Sequence, residues 1–367
     1  MVWRPGSHDE YDSELQPSPW RKGRELTDAE IEAQVLVEKW DDEIPQPSRT
    51  DEMAAAARRA GERMGPVARR VLYLLWFAVA IIGAAAGVAV AYMHLVGDPL
   101  NDARSYYDAA SRLNAGLALY PEGIDPSTNQ IYLYPPLLAM LLRPLALLPY
   151  EWFAVIWEVV VVTSFVLLIR HLGVRRKETW LTIGVLGVPI GWALAVAQAH
   201  IPMTLLIAIG QPWSIALAAN IKLFPALIVL WWLGRREFEA VAAFAMWSAL
   251  LVLAQVLVEP GGTFAYFQQV GFEQVGAGTE LRNFSPFVLS PVIWASLLAV
   301  GALATLALAR TKWGWAVAVT FATLAPPRLL VYMLASIVAA VRQPRLAHEP
   351  DPDAMDDVAS VYTRSYR

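Results

Sequence analysis

The residues from 71 to 341 form long apolar runs separated by short polar or charged segments. The first run, residues 71–94, supplies roughly the 20 residues that an α-helix needs to cross a bilayer. Later runs of similar character cover residues 152–169, 179–197, 238–258, 287–309, 313–325 and 329–341. The pattern predicts an all-α, polytopic integral membrane protein with about eight to ten membrane segments.

Two apolar stretches do not fit a plain crossing. Residues 133–149 contain Arg143 and four prolines, which favours a short or re-entrant helix in the outer leaflet. Residues 201–233 fit either one long crossing or three short segments, with breaks at Gln211-Pro212 and between Lys222 and Pro225. Both alternatives are odd in number, so either carries the chain across the membrane to the side where Arg235 and Arg236 follow.

Basic residues cluster on one side of the predicted spans, at 58–70, 170–177, 235–236, 310–312 and 342–345. The positive-inside rule assigns these clusters and both termini to the cytoplasm. The loop that begins at residue 95 is then external. The chain is expected to divide into a cytoplasmic, mostly disordered tail (1–70), a transmembrane domain (71–345) and a cytoplasmic acidic tail (346–367).

Composition removes several classes of function. The 367 residues are 56% hydrophobic and 17% charged, and no basic stripe interleaved with aromatic residues indicates nucleic-acid binding. The chain has no cysteine, and its five histidines form no HxxxH or HExxH pair, so neither a metal site nor a cofactor is expected. The Ala-, Val-, Leu-, Arg- and Trp-rich composition is typical of a high-GC bacterium, which indicates a bacterial plasma membrane.

Polar side chains in these apolar surroundings are costly, and they therefore mark candidate functional positions. Asp102, just beyond the first span, could act as a general base toward an acceptor hydroxyl, and cations could stabilise a departing phosphate. Asp102 also fits an N-cap, Asp108 fits a helix surface, and Lys222 fits a side chain that reaches the interface. The candidate substrate-binding residues are Lys222, Arg143, Gln198, His200, Asn283, Arg328 and Tyr134.

Several motifs resemble glycosyltransferase family 87. The chain has D-x-R-x-Y-Y-x-A-A at 102–110, L-x-x-G-x-x-L-Y at 113–120, Y-P-P-L at 134–137 and P-L-A-L-L-P at 144–149. Weaker matches are AQAH at 197–200, similar to the family's G-Q-x-N, IKLFP at 221–225, similar to I-K-P-x-P, and NFS at 283–285, similar to N-Q-S.

This resemblance implies a GT-C-type membrane enzyme of the kind that includes mannosyl- and arabinofuranosyltransferases of the actinobacterial envelope. Its expected partners are a polyprenyl-phosphate sugar donor, a lipid-linked or glycan acceptor, and membrane lipids. By the same resemblance, Asp102 stands at the place of the proposed catalytic aspartate and Lys222 at that of a lysine near the donor phosphate. Transfer with inversion, on the external face, is the expected reaction.

The chain departs from the family pattern at several positions. His200 replaces an asparagine, Leu223 replaces the first proline of I-K-P-x-P, and Val331 stands where the family often has a histidine. A protein without catalytic activity would tolerate the loss of that histidine. The alternative is therefore a transporter, a lipid flippase or a scaffold of envelope synthesis.

Overall fold

A computed structural model describes residues 65–121, 132–270 and 283–344. Over these ranges the chain is helical, without strands. The chain divides into two compact units, 1–70 and 71–367, and the helical bundle belongs to the second. Of the tails predicted at 1–70 and 346–367, residues 1–64 and 346–367 lie outside the described residues.

Long and short α-helices are interspersed along the described ranges, and the helices between 177 and 235 have ten residues or fewer. They are α1 (Pro66–Gly97), α2 (Asn101–Asn114), α3 (Pro136–Leu142), α4 (Tyr150–Leu172), α5 (Lys177–Val185), α6 (Gly187–Ala195), α7 (His200–Ile209), α8 (Pro212–Ile221), α9 (Val229–Arg235), α10 (Phe238–Val258), α11 (Pro260–Ala265), α12 (Pro291–Leu308) and α13 (Gly314–Leu324). The 3₁₀ segments are Leu145–Leu147, Phe224–Ile228, Pro286–Val288 and Val331–Val341, and Tyr266–Val270 forms a π turn.

Four helices in the part of the chain that the structure describes are long and apolar enough to cross a membrane, namely α1, α4, α10 and α12. Only 6% of the apolar window of α10, and likewise of α12, is buried inside the bundle. Apolar surface of that extent is stable against lipid rather than water, while the helix satisfies its own backbone groups. The prediction of an all-α polytopic membrane protein is confirmed.

The remaining apolar segments are bent or short. Together, helices α5 and α6 are long and apolar enough to form one membrane span, but their axes bend by 73°. The sequence predicted a single run there. Pro189 lies in the first turn of α6 and has no amide hydrogen to continue the ladder of α5. The stretch 201–233 forms three segments, with breaks at Gln211-Pro212 and around Lys222 as the second alternative expected. A count of eight to ten segments is reached only when the shorter helices are included.

Glycines let α1 approach α5 and α6 closely. A Cβ atom added to Gly187 would lie 2.2 Å from the carbonyl oxygen of Gly83, and one added to Gly87 would lie 2.4 Å from the carbonyl carbon of Gly187. Only glycine fits at such a crossing, where backbone packs on backbone. This contact packs α1 directly against the bent helix pair α5 and α6.

The buried core surrounds α7 and α8. Ile201, Ile215 and Ala218 are fully or almost fully buried there, and α2 packs against α3 and α4 at one end of the core. At the other end Trp231 and Trp315 meet with ring centroids 5.0 Å apart. The polar residues discussed next lie at the α2 end.

Candidate active site

Asp102 is held by the backbone of the segment that follows α6. The Leu100 N–H donates to the Ala195 carbonyl at 3.2 Å, and the Asp102 N–H donates to the Val196 carbonyl at 3.1 Å. Leu100 (φ 52°) and Ala197 (φ 56°) both adopt left-handed backbone conformations, which are uncommon for residues other than glycine. This docking fixes the start of α2 beside Gln198.

The Asp102 carboxylate accepts a hydrogen bond from a buried glutamine. Gln198, 1% exposed, donates its Nε2–H to Asp102 Oδ2 at 2.6 Å. The Oε1 atom of Gln198 accepts from two hydroxyls, that of Tyr106 at 2.5 Å and that of Tyr134 at 2.6 Å. The Tyr106 oxygen in turn accepts the Ala199 N–H at 3.2 Å.

These bonds orient the glutamine. Because the backbone N–H of Ala199 occupies an acceptor position of Tyr106, the Tyr106 hydroxyl proton is free to point toward Gln198. Two hydroxyl donors then face Oε1, so the amide NH₂ of Gln198 must face Asp102. The network therefore presents a donor, and not an acceptor, to the carboxylate.

Burial raises the pKa of Asp102 from its ordinary value to about 7. The positive charge of Lys222 opposes this rise, and the negative charge of Asp98 adds to it. Asp98 itself pairs with His94, whose Nδ1 lies 2.7 Å from Asp98 Oδ1. A carboxyl with a pKa near neutrality is well matched to taking a proton from a hydroxyl.

Lys222 ends α8 and faces the same space. Its Nζ lies 5.5 Å from the centroid of the Tyr134 ring and 5.8 Å from that of Tyr332, a distance range typical of cation–π contacts. Burial lowers the pKa of Lys222 to about 7, with a further lowering from Arg328 and an opposing effect of Asp102. Lys222 thus interacts electrostatically with both Asp102 and Arg328.

Asn283 fixes the segment that carries Arg328. Its Nδ2–H donates to the Pro327 carbonyl at 3.0 Å, and its Oδ1 accepts the Leu329 N–H at 2.9 Å. The Phe284 N–H also donates to the Leu329 carbonyl. Asn283 therefore binds the backbone of the residue before Arg328 and of the residue after it.

The family-87 model matches residues 132–348, more than half of the chain. The chain belongs to glycosyltransferase family 87. The resemblance found in the sequence is thereby confirmed, although Asp102 precedes the matched range.

A curated relative from Mycolicibacterium smegmatis (strain ATCC 700084 / mc(2)155) is named a polyprenol-phosphate-mannose-dependent alpha-(1-2)-phosphatidylinositol pentamannoside mannosyltransferase. It is 27% identical over 177 residues, which cover 42% of this chain and 43% of the relative. The chain therefore aligns with less than half of that protein's length. No solved structure matches the chain significantly.

The family motifs meet around Asp102. The D-x-R-x-Y-Y block supplies Asp102 and Tyr106, the Y-P-P-L block supplies Tyr134, and AQAH supplies Gln198. Lys222 from IKLFP lies against Tyr134. Segments more than 100 residues apart in sequence thus form one site in this family-87 protein.

His200, the family-87 departure in AQAH, is 3% exposed at the start of α7. Its ring centroid lies 5.4 Å from that of Tyr332, the residue after Val331. With Lys222 and Ser336 it lines a cavity of about 20 Å³, which is room for one water molecule. His200 Nδ1 has no hydrogen-bond partner among the described residues.

Arg143, a predicted substrate-binding residue, is bonded to Asn114, and Asp108 lies on the helix surface, as the sequence favoured. Arg143 donates from Nε to Asn114 Oδ1 at 3.1 Å and accepts the Asn114 side-chain N–H on its carbonyl at 2.9 Å. Asn114 ends α2, twelve residues from Asp102 and so about 18 Å along the helix axis. Asp108 pairs with Arg104 at 3.2 Å on the exposed face of α2.

Tyr106 and Tyr332 are site residues that the sequence analysis missed. Tyr106 follows Asp102 by four residues, a spacing that places both on one face of a helix and could have indicated a shared role. Tyr332 directly follows Val331, the position that departs from the family pattern, but it was not singled out because its place at the site depends on the path of the 3₁₀ segment Val331–Val341. Within the described ranges, no group of three or more metal-ligating side chains comes together.

Proposed function

We propose that this chain is a membrane glycosyltransferase that moves a sugar, mannose or arabinofuranose, from a polyprenyl phosphate to an envelope glycolipid or glycan. The observation that carries the proposal is a partly buried carboxyl, Asp102, hydrogen-bonded by Gln198 and in electrostatic interaction with Lys222, which Arg328 also affects. A base and two cations are what transfer from a phosphate leaving group to a hydroxyl requires.

The reaction balances with these groups. The acceptor hydroxyl oxygen forms a bond to the anomeric carbon while the bond from that carbon to the phosphate oxygen breaks. Asp102 takes the hydroxyl proton, and the phosphate leaves with one additional negative charge beside Lys222 and Arg328. Attack opposite the leaving group gives inversion at the anomeric carbon.

Gln198 and Tyr134 hold the base rather than the sugar. Gln198 is almost fully buried and its donor is committed to Asp102, so its contribution is to aim the carboxylate. The Tyr134 hydroxyl donates to Gln198, and the face of its ring lies toward Lys222. Tyr134 therefore contacts both the glutamine that binds the base and the cation. Arg143 lies at the other end of α2, where it is hydrogen-bonded to Asn114.

The direction of the helices supports an external site. The Tyr150 hydroxyl at the start of α4 reaches the Leu100 carbonyl at 3.4 Å, and Arg170 lies in the last turn of α4. Twenty residues of helix separate Tyr150 from Arg170, about 30 Å or one hydrocarbon thickness. If the basic cluster at 170–177 is cytoplasmic, the Asp102 end faces outward.

Val331, in place of a histidine, is the observation that favours the alternative of a non-catalytic transporter, flippase or scaffold. The ring of His200, at the start of α7, lies beside that of Tyr332, so a histidine from another helix is present near Val331. The two functions differ in whether label moves from donor to acceptor.

The test uses the full chain purified into lipid nanodiscs. It is incubated with polyprenyl-phosphate-linked labelled mannose or arabinofuranose and a membrane lipid extract, and labelled products are separated. We expect label in an acceptor from one of these donors and none from nucleotide-linked mannose, the matched control. Absence of both transfer and donor binding would contradict the proposal and favour the transporter or scaffold.

A further inference from the structure

A small cavity lies beside Lys222, between α7, α13 and the 3₁₀ segment Val331–Val341. It has a volume of about 20 Å³, and four of the side chains that line it are polar, those of His200, Lys222, Thr323 and Ser336. A buried water needs about 10–15 Å³ of such space and two to four polar partners. The cavity meets both conditions and is too small for any larger ligand.

His200 brings an unused hydrogen-bonding atom to this cavity. The residue is 3% exposed, and its Nδ1 is buried without a hydrogen-bond partner among the described residues. Burial, and after it the positive charge of Lys222, lower the pKa of His200 well below its ordinary value, so the ring is neutral and one of its nitrogens is an acceptor. A bridging water satisfies such an acceptor nearly as well as a direct hydrogen bond does.

Two hydroxyls fix the direction of the neighbouring hydrogen bonds. Thr204 Oγ1 donates to the His200 carbonyl at 2.7 Å and lies 3.0 Å from Ser336 Oγ. A threonine hydroxyl has only one proton, so Ser336 is the donor in the second contact. Ser336 Oγ therefore keeps its lone pairs for other partners. A water in the cavity meets an acceptor at Ser336 and a donor at the Lys222 ammonium.

We propose that one water molecule in this cavity donates to His200 Nδ1 and Ser336 Oγ and accepts from the Lys222 ammonium, so that His200 positions Lys222 through it. The three bonds use both protons of the water and one of its lone pairs. They require His200 to carry its proton on Nε2. The consequence for sugar transfer rests on the proposed function, in which Lys222 stabilises the departing phosphate.

The water acts on the charge of Lys222. The ionisable groups that face this lysine are Asp102, His200, Arg328, Tyr134 and Tyr332. Arg328 disfavours the ammonium, and Asp102 favours it. A water that accepts from the ammonium also favours the charged form. Its loss should therefore lower the pKa of Lys222, by about half to one unit for a single hydrogen bond.

Competitive labelling measures this pKa without requiring turnover. The full chain in nanodiscs is treated with trace acetic anhydride at a series of pH values, and acetylation of Lys222 is followed by mass spectrometry. His200→Phe keeps a ring beside Tyr332 but has no acceptor, so the pKa of Lys222 should fall by about half to one unit. His200→Asn should keep the wild-type value, because the amide oxygen of asparagine can take the place of Nδ1.

Met203→Leu is the matched control. Met203 lines the same cavity and is 3% exposed, but this swap of similar volume removes no acceptor, so the pKa of Lys222 should not change. Ser336→Ala removes the second acceptor and leaves the Thr204 proton on the His200 carbonyl, and it replaces His200→Phe if that variant does not fold. An unchanged pKa in the variant that lacks an acceptor, or an equal decrease in Met203→Leu or His200→Asn, would overturn the inference.

Nitrogen NMR of protein labelled at histidine tests the hydrogen-bond pattern itself. The His200 signals are assigned by their absence in His200→Asn. We expect a neutral ring with an unprotonated, hydrogen-bonded Nδ1 from about pH 6 to 8. A protonated Nδ1 would overturn the inference.

The inference and the proposed function fail in different ways. A Lys222 pKa that depends on the acceptor at position 200, without any sugar transfer by the wild type, would contradict the glycosyltransferase function and leave the water site standing. Sugar transfer by the wild type, with the same Lys222 pKa in His200→Phe, would do the reverse. When both hold, the alkaline limb of the pH–rate profile should move down in His200→Phe by the same half to one unit, roughly.

Discussion

Replacing Gln198 by leucine tests whether the buried amide sets the ionisation of Asp102. The substitution preserves the approximate volume of the side chain but removes the 2.6 Å hydrogen bond to the carboxylate. It also removes the acceptor of the Tyr106 and Tyr134 hydroxyls, so a loss of stability accompanies it. The diagnostic quantity is therefore the pH dependence of sugar transfer and not the rate alone.

The magnitude follows from the contact. A hydrogen bond to a charged group contributes about 1.5–3 kcal/mol, and 1.36 kcal/mol corresponds to one pKa unit, so the pKa of Asp102 should rise from about 7 to between about 8 and 9. At pH 7 the ionised fraction falls from about one half to between about one tenth and one hundredth, which slows transfer by about 5- to 50-fold. The base is ionised above its pKa, so this loss lessens as the pH is raised.

Lys222 limits the recovery. Its pKa of about 7 means that the cation is lost as the pH rises, and the wild type should show a bell-shaped profile centred near pH 7. The optimum lies midway between the two pKa values, so Gln198→Leu should move it to between about pH 7.5 and 8. The assay is the initial rate of label transfer from pH 5.5 to 9.5 in nanodiscs.

Gln255→Leu is the matched control. Like Gln198, Gln255 is buried, with 3% of its surface exposed. It binds Asn220 and the Leu137 N–H but makes no contact with Asp102. It should lower the unfolding temperature without moving the pH optimum. The reasoning would be refuted if Gln198→Leu left the optimum unchanged, or if Gln255→Leu moved it equally.

Three further predictions concern the cations and the packing. Lys222→Arg should remove the alkaline limb of the pH–rate profile because arginine stays protonated; a limb that persists near pH 7 would assign that ionisation elsewhere. Asn283→Ala should lower kcat/KM for the donor several-fold, with part of the loss in kcat, since Arg328 loses its support beside the departing phosphate; steady-state kinetics against donor concentration would show this, and an unchanged kcat/KM would argue against it. Gly187→Ala should destabilise the bundle by about 1–3 kcal/mol, because the added Cβ would meet the Gly83 carbonyl. Gly97→Ala, with open space around it, should be near neutral. Thermal unfolding of the two variants measures the difference.

The sequence was sufficient for the long spans because each is a long apolar run ended by charge or proline. The predicted run 238–258 has the same bounds as α10, and 152–169 differs from α4 by only a few residues at either end. The breaks at Gln211-Pro212 and Lys222 were also recognisable, since proline and a charged side chain interrupt apolar helices. The bend after Val185 was not predicted, because Pro189 within that apolar run indicates a possible break but not its angle.

The site was only partly predictable. Asp102, Lys222, Gln198 and Tyr134 were each singled out from the sequence, but the hydrogen bond from Gln198 to Asp102 and the contact of Lys222 with Tyr134 required the structure. Arg143 was predicted to bind substrate because a charge in an apolar stretch is unusual, and this stays a prediction; its hydrogen bond to Asn114 is a long-range contact that no local pattern reveals.

The most direct test compares Asp102→Asn with Asp108→Asn in the transfer assay. Both substitutions replace one carboxylate of α2 by an amide, but Asp102 lies against Gln198 whereas Asp108 forms an exposed pair with Arg104. If Asp102 is the base, transfer should fall by at least about 100-fold in Asp102→Asn and stay within about twofold of the wild type in Asp108→Asn. Undiminished transfer by Asp102→Asn, with donor binding intact, would contradict the assignment of the base.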